Sequence, residues 1–198
     1  IFGDVLDVGA GSGGSIELLQ TPRVTSWTAL EPDPKLAALI TQDKLSCPLR
    51  VHVGTLADIE QTFDTILYID VLEHIEHDHT ELMAAAEKLS DLGSLIVLSP
   101  AHPFLFSEFD AAIGHYRRYS KEGLLALQPP GVQLQRCEYI DSVGMLASLG
   151  NRLFLKTSQP SISQIRFWDR VMVPCSRILD PLIAHRIGKT VIAIWQKI

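Results

Sequence analysis

Asp7-Val8-Gly9-Ala10-Gly11-Ser12-Gly13-Gly14 is the stretch that decides the fold. It follows an apolar run, Val5-Leu6 with Val8, and precedes the helix-like Ser15-Ile16-Glu17-Leu18-Leu19. A strand that breaks into glycines and restarts as a helix brings bare backbone N–H groups close to a ligand. The helix N-terminus adds partial positive charge there. Gly9, Gly11 and Gly13 supply the positive φ angles or close backbone approach that a side chain forbids. Asp7 adds a carboxylate at the strand's end. Together these features read as a nucleotide-type cofactor site.

Working outward, apolar strands alternate with helical spacings, which predicts an α/β fold: a doubly wound, mostly parallel sheet of seven strands with helices on both faces. Strands are expected at about 4–8, 24–30, 49–53, 63–69, 94–99, 132–140 and 189–195, the last of them antiparallel. A helix is expected over Lys35–Lys44. Another should open on a capping box at Asp78-His79-Thr80-Glu81 and end at Gly93, and a third should be capped by Ser120. Residues 141–188 read as a helical insertion with patches at Ile162–Val173 and Cys175–Ala184. The chain of 198 residues suits one domain spanning 1–198. Ile1 stands almost inside the first strand, so a natural segment is expected to precede it.

The net charge of -6 argues against a general affinity for nucleic-acid phosphates. Cys47, Cys137 and Cys175 lie far apart without CxxC spacing, which fits a reducing cytoplasm. No apolar stretch reaches the roughly 18 residues of a spanning helix. No metal requirement is visible: the histidines are read as lacking ligand spacing, and acidic residues are not expected to cluster with them.

In such sheets ligands bind outside the carboxyl ends of the strands, at the topological switch point. Those ends are Asp7–Gly13, Glu31, Gly54–Leu56, Asp70–His74 and Pro100–His102. Gly9-x-Gly11-x-x-Gly14 satisfies the dinucleotide pattern, and Gly9-x-Gly11-x-Gly13 satisfies the S-adenosylmethionine (SAM) pattern. Glu31, 18 residues past Gly13, suits ribose hydroxyls in either case.

The string D-V-G-A-G-S-G, then L-E-P-D, then F-D-T-I-L-Y-I-D-V-L-E-H-I resembles a class I SAM-dependent methyltransferase, most closely the small-molecule branch in which a VLEHI segment follows strand four. The segment H-Y-R-R-Y-S at His115–Ser120 is similar to a bacterial subgroup, some of whose members accompany sugar- or lipid-glycosyl-transfer modules. The resemblance implies SAM as cofactor, with S-adenosylhomocysteine (SAH) as product. It implies that Asp7 and the backbone of Gly9, Ala10, Gly11 and Gly13 hold the methionine portion, and that Glu31 binds the ribose. It also implies that Pro32 and Leu56 pack the adenine, and that Asp70, Val71 and Leu72 line the sulfonium end. Where many members carry Gly-Asp after strand three, this chain has Gly54-Thr55, so Thr55, backbone or Asp58 must contact the adenine.

His74, His102 and His115 are the candidate catalytic bases, since imidazole is the side chain that ordinarily exchanges a proton near neutrality. For His74 a solvent-facing helix-start role stays open beside that one. Arg117 and Arg118 could clamp an anionic group of the acceptor, with Tyr119 beside them, or could form ion pairs with Glu108, Asp110 or Glu122. The insertion could be a cap over the pocket, a homodimer surface or, less favoured, a membrane-surface contact. The expected activity is methyl transfer to a small-molecule acceptor such as a sugar, a lipid-linked molecule or a secondary metabolite. Its rivals are an NAD(P)-dependent oxidoreductase and a catalytically silent SAM-binding partner subunit.

Overall fold

The computed structural model describes residues 1–42, 45–150 and 166–198. Five strands, β1 (Gly3–Val8), β2 (Val24–Glu31), β3 (Leu49–Val53), β4 (Phe63–Ile69) and β5 (Leu89–Pro100), pair in parallel. Two more, β6 (Val132–Ile140) and β7 (Thr190–Lys197), are antiparallel to each other, and β7 is antiparallel to β5. The sheet order is β3-β2-β1-β4-β5-β7-β6, so the order in which strands are added reverses between β1 and its parallel neighbour β4. The terminal pattern that an oxidoreductase reading leaves unexplained is the one that forms.

Central strands must be apolar on both faces, and β1 and β4 are. Leu6, Ile66 and Tyr68 pack on one side with Leu30, Leu82 and Trp195. Val5 and Leu67 pack on the other with Ile16, Trp27 and Ile40. The helices around the sheet are α1 (Gly14–Leu19), α2 (Pro34–Ala37), α3 (Asp78–Glu87), α4 (Glu108–Ala112), α5 (Lys121–Leu125), α6 (Ser142–Gly150) and α7 (Val173–Leu182).

Several local expectations are corrected. The helix expected over 35–44 is one turn, α2, started by Asp33 accepting from Lys35 N. Its continuation tightens to three-residue turns at Leu39 and Ile40, and residues 43 and 44 lie outside the described residues. α3 is not capped by Asp78; His77 occupies that position and Asp78 sits in the first turn, its carboxylate used by distant partners. Gly93 does not stop α3, which ends at Glu87. It lies inside β5, where a Cβ would meet Ser90 O at 2.8 Å and Asp64 O at 3.2 Å, beside a register shift opposite Phe63. Glycine marks a close backbone approach there rather than a helix cap.

In the insertion, Ser142–Gly150 is helical where no helix was expected. A π-helical turn at Trp168–Met172 runs straight into α7, because Pro174 falls in the first turn, where its missing N–H is not needed. The first residues of the patch expected at 162–173 lie outside the described residues. No helix among the described residues is long and apolar enough to cross a membrane.

Candidate active site

The glycine loop turns as its composition requires: Gly9, Gly11 and Gly13 have φ of 67°, 57° and 83°. Gly9 and Ala10 both donate to Leu30 O, which ties the loop to the end of β2. At Gly11 a Cβ would meet nothing within 4 Å, so this part of the loop opens into free space. At Gly9 a Cβ would lie 2.6 Å from Cγ2 of Val71. The glycine loop and the loop after β4 are therefore in van der Waals contact across the switch point. Gly9→Ala is expected to destabilise the fold by about 2–5 kcal/mol, combining overpacking with a left-handed backbone. In Gly9→Ala/Val71→Ala the overpacking part should be regained in a denaturant titration. An uncoupled pair would show that the two loops do not share this contact.

Glu31 is buried, and its carboxylate accepts from Gly11 N (2.8 Å) and from Asp33 N (2.9 Å). Each oxygen keeps a lone pair for a ribose hydroxyl. Asp7 is 1% exposed and accepts from Ser15 Oγ at 2.9 Å, so it lies beneath the loop and anchors the start of α1. Burial raises its carboxyl to about 6, with the Ser15 hydrogen bond opposing. A carboxyl whose folded pKa is raised makes the fold less stable as pH climbs from about 4 to about 6. Asp7→Asn is thus expected to exceed the parent in stability by up to about 3 kcal/mol at pH 8 and to match it near pH 4. A gap independent of pH in thermal melts would contradict this placement.

Pro32 and Thr55 are exposed at the ends of β2 and β3. Thr55 and Asp58 close a capping box, with Asp58 Oδ2 accepting from Thr55 N at 2.8 Å. Leu56 and Leu72 are fully enclosed in the core rather than open to the crevice. Asp70, exposed at the end of β4, adopts φ 54°, an uncommon conformation for a residue with a side chain.

The three candidate histidines separate. His102 stacks on Tyr139 at 4.6 Å between ring centres, and its Nε2 is 2.9 Å from Gly188 O, tying the end of β5 to the approach to β7. Burial lowers its pKa, against the Gly188 contact. His74, exposed, meets His115 edge-on at 4.5 Å. His115 places Nδ1 3.0 Å from Asp110 Oδ1 and Nε2 3.9 Å from Glu73 Oε1. Burial also lowers the His115 pKa, with Asp110 opposing.

Arg117, Arg118 and Tyr119 are each engaged. Arg118 donates from Nε (2.8 Å) and Nη2 (3.0 Å) to the two oxygens of Asp110, one of the ion pairs the sequence left open. Arg117 donates to Asp78 Oδ2 and to Glu76 O, and Tyr119 Oη donates to Asp78 Oδ2 at 2.8 Å. The segment is thereby fastened to α3 and α4. Burial alone would raise the Asp110 carboxyl, but Arg118 and Ser107 together hold it below its ordinary value.

The expectation that acids do not cluster with the histidines is overturned. Glu73 is 0% exposed and stands with His74 and His115 so that one ligand atom from each lies within 4.8 Å of the others. Glu73 and Asp78 were not singled out as site residues, because their partners are far away in sequence. The only local signal for Glu73 was an acid inside an otherwise apolar strand-end segment.

A methyltransferase-domain family model matches residues 2–146. No curated protein matches the sequence. Among solved structures, the N-methyltransferase NodS of Bradyrhizobium japonicum is similar at TM-score 0.60 and 13% identity, over 98% of this chain and 85% of that one. The mycolic acid cyclopropane synthase CmaA1, solved with SAH, is similar at TM-score 0.62 and 17% identity, over 98% and 78%. The Haloferax volcanii complex of the Trm112 methyltransferase activator contains a chain similar at TM-score 0.64 and 16% identity, over 98% and 82%. With its seven-stranded Rossmann-like sheet and glycine crevice, the chain belongs to the methyltransferase-domain family, as a class I SAM-dependent methyltransferase.

Proposed function

We propose that the chain moves the methyl of SAM to a small-molecule acceptor held where the glycine loop meets the loops after β4 and β5. The observation that carries this is the contact between Gly9 and Val71, which puts the cofactor-binding turn and the Asp70–His74 segment on one crevice. SAM, when bound, supplies a methyl on cationic sulfur, an acceptor-ready electrophile that needs alignment more than activation. Glu31 and the Gly11 backbone hold the ribose, Pro32 and Thr55 flank the adenine, and Asp70 and Val71 line the sulfonium end. Asp7 stiffens the turn from below. His74, open to solvent at the crevice, takes the acceptor's proton where one must leave.

Arg117, Arg118 and Tyr119 position the wall of the acceptor pocket by holding residues 107–119 in place. The whole of 1–198 acts as one SAM-binding unit, with 141–188 as a cap over the acceptor. The acceptor class is a sugar, lipid-linked or secondary-metabolite hydroxyl, amine or carboxylate, in keeping with the VLEHI and H-x-R-R-Y-S segments. Three free cysteines suit a reducing cytoplasm.

Methyl-labelled SAM with a panel of such acceptors tests the reading. Labelled acceptor and SAH should appear in equal amounts. SAM binding with no labelled product from any member of the panel would favour a silent binding subunit instead.

A further inference from the structure

Glu73, His74 and His115 form a cluster of which the methyl-transfer reading uses His74 alone. Glu73 is fully buried on the loop after β4, and its two oxygens are treated differently. Oε2 accepts from Ser99 Oγ at 3.0 Å, while Oε1 has no hydrogen-bond partner among the described residues. A buried carboxylate oxygen without a partner costs free energy unless something cationic meets it. Oε1 faces His115 Nε2 at 3.9 Å, too long for a hydrogen bond.

The other side of His115 explains why that nitrogen is available. Asp110 Oδ1 can only accept, so the 3.0 Å contact places the imidazole proton on Nδ1 and leaves the Nε2 lone pair directed at Glu73. Asp110 is itself fixed by both nitrogens of Arg118 and by Ser107. A carboxylate orienting a histidine whose far nitrogen faces a second carboxylate is the outer-sphere pattern of metal-binding histidines. Two ligands on one tetrahedral ion with bonds of about 2.0–2.2 Å stand about 3.4 Å apart, so the observed gap needs to close by only about 0.5 Å. His74, exposed and with its Nδ1 3.3 Å from Gly114 O, supplies the third ligand atom, already within 4.8 Å of the other two.

We infer that Glu73, His74 and His115 bind a divalent transition-metal ion of the zinc type. Two imidazoles and one carboxylate favour such an ion over Mg²⁺ or Ca²⁺, which prefer all-oxygen sites. Three protein ligands leave a coordination position for an oxygen of the acceptor, a role that rests on reading this crevice as the acceptor site.

The test uses tag-free, chelator-treated protein titrated calorimetrically with Zn²⁺ and Mg²⁺ and spectroscopically with Co²⁺. One equivalent of Co²⁺ should give visible bands that Zn²⁺ abolishes and excess Mg²⁺ does not. Glu73→Gln should lower Zn²⁺ affinity at least about 100-fold, and His74→Asn, a surface change that leaves the fold intact, at least about tenfold. His79→Asn, an exposed histidine on α3, should bind as the parent does. No Co²⁺ bands in the parent, or affinities unchanged in Glu73→Gln and His74→Asn, would overturn the inference. SAM titrated into the same samples separates the two readings: SAM binding without Co²⁺ binding removes only the metal site, and Co²⁺ binding without SAM binding removes only the methyltransferase reading.

Discussion

Arg118→Ala is expected to lower the stability of the fold by about 3–5 kcal/mol, a drop in Tm of roughly 6–20 °C. The guanidinium neutralises Asp110, which is 1% exposed and accepts from Arg118, His115 and Ser107. Removing the cation leaves an uncompensated charge in a dry environment, which costs far more than a surface pair contributes. Lysine cannot substitute well, since one ammonium cannot span both oxygens as the planar fork does. The folded fraction of the alanine variant should show a raised acceptor KM only together with the loss of stability, because Arg118 acts on the acceptor through the wall that Asp110 holds. A variant that melts with the parent but shows a raised KM would instead make Arg118 a substrate contact. Arg117→Ala should cost less, because Asp78 keeps Tyr119 and the Arg117 side chain is about a third exposed (35%).

The second large effect concerns the cofactor. Glu31→Ala is expected to weaken SAM and SAH binding by about 100-fold or more, equivalent to losing about 3 kcal/mol of charge-assisted hydrogen bonding. The carboxylate has two tasks: it fixes the glycine turn through Gly11 N and the start of α2 through Asp33 N, and it presents its remaining lone pairs to the crevice. Glu31→Gln keeps one acceptor oxygen and should fall between the two. Stability should change little in comparison, since the N–H groups freed at Gly11 and Asp33 lie at the crevice, where water can replace the lost acceptor. If Glu31→Ala binds SAM as tightly as the parent, the ribose assignment fails, whatever the activity.

What could be read from the sequence was what is decided locally. An apolar strand running into three glycines at alternate positions leaves few alternatives, and the φ angles of Gly9, Gly11 and Gly13 follow from it. The position of Glu31 at the end of β2, beside Gly11, was legible because its distance past the glycines is set by one helix and one strand. β6 and β7 are legible as short runs between turn residues: β7 is apolar from Val191 to Trp195, and β6 alternates until a register shift at Leu134–Arg136.

Choices among distant partners were not legible. Asp78 has the composition of a helix cap, yet Arg117 and Tyr119, 39 and 41 residues away, claim its carboxylate. Gly93 shows that one residue type serves two purposes: a glycine after a helix and a glycine at a strand irregularity look identical in sequence. The grouping of Glu73 with His115 was hidden in the same way, since their spacing in the chain obeys no ligand periodicity. Neither the sequence nor the fold names the acceptor, because specificity resides in loop side chains rather than in the sheet.

The most direct test of the central claim is calorimetric titration of the purified chain with SAM, SAH, NAD and NADP. The account predicts micromolar binding of SAM and SAH, lost in Glu31→Ala, and no binding of either nicotinamide nucleotide. Nicotinamide binding in the absence of SAM binding would contradict it.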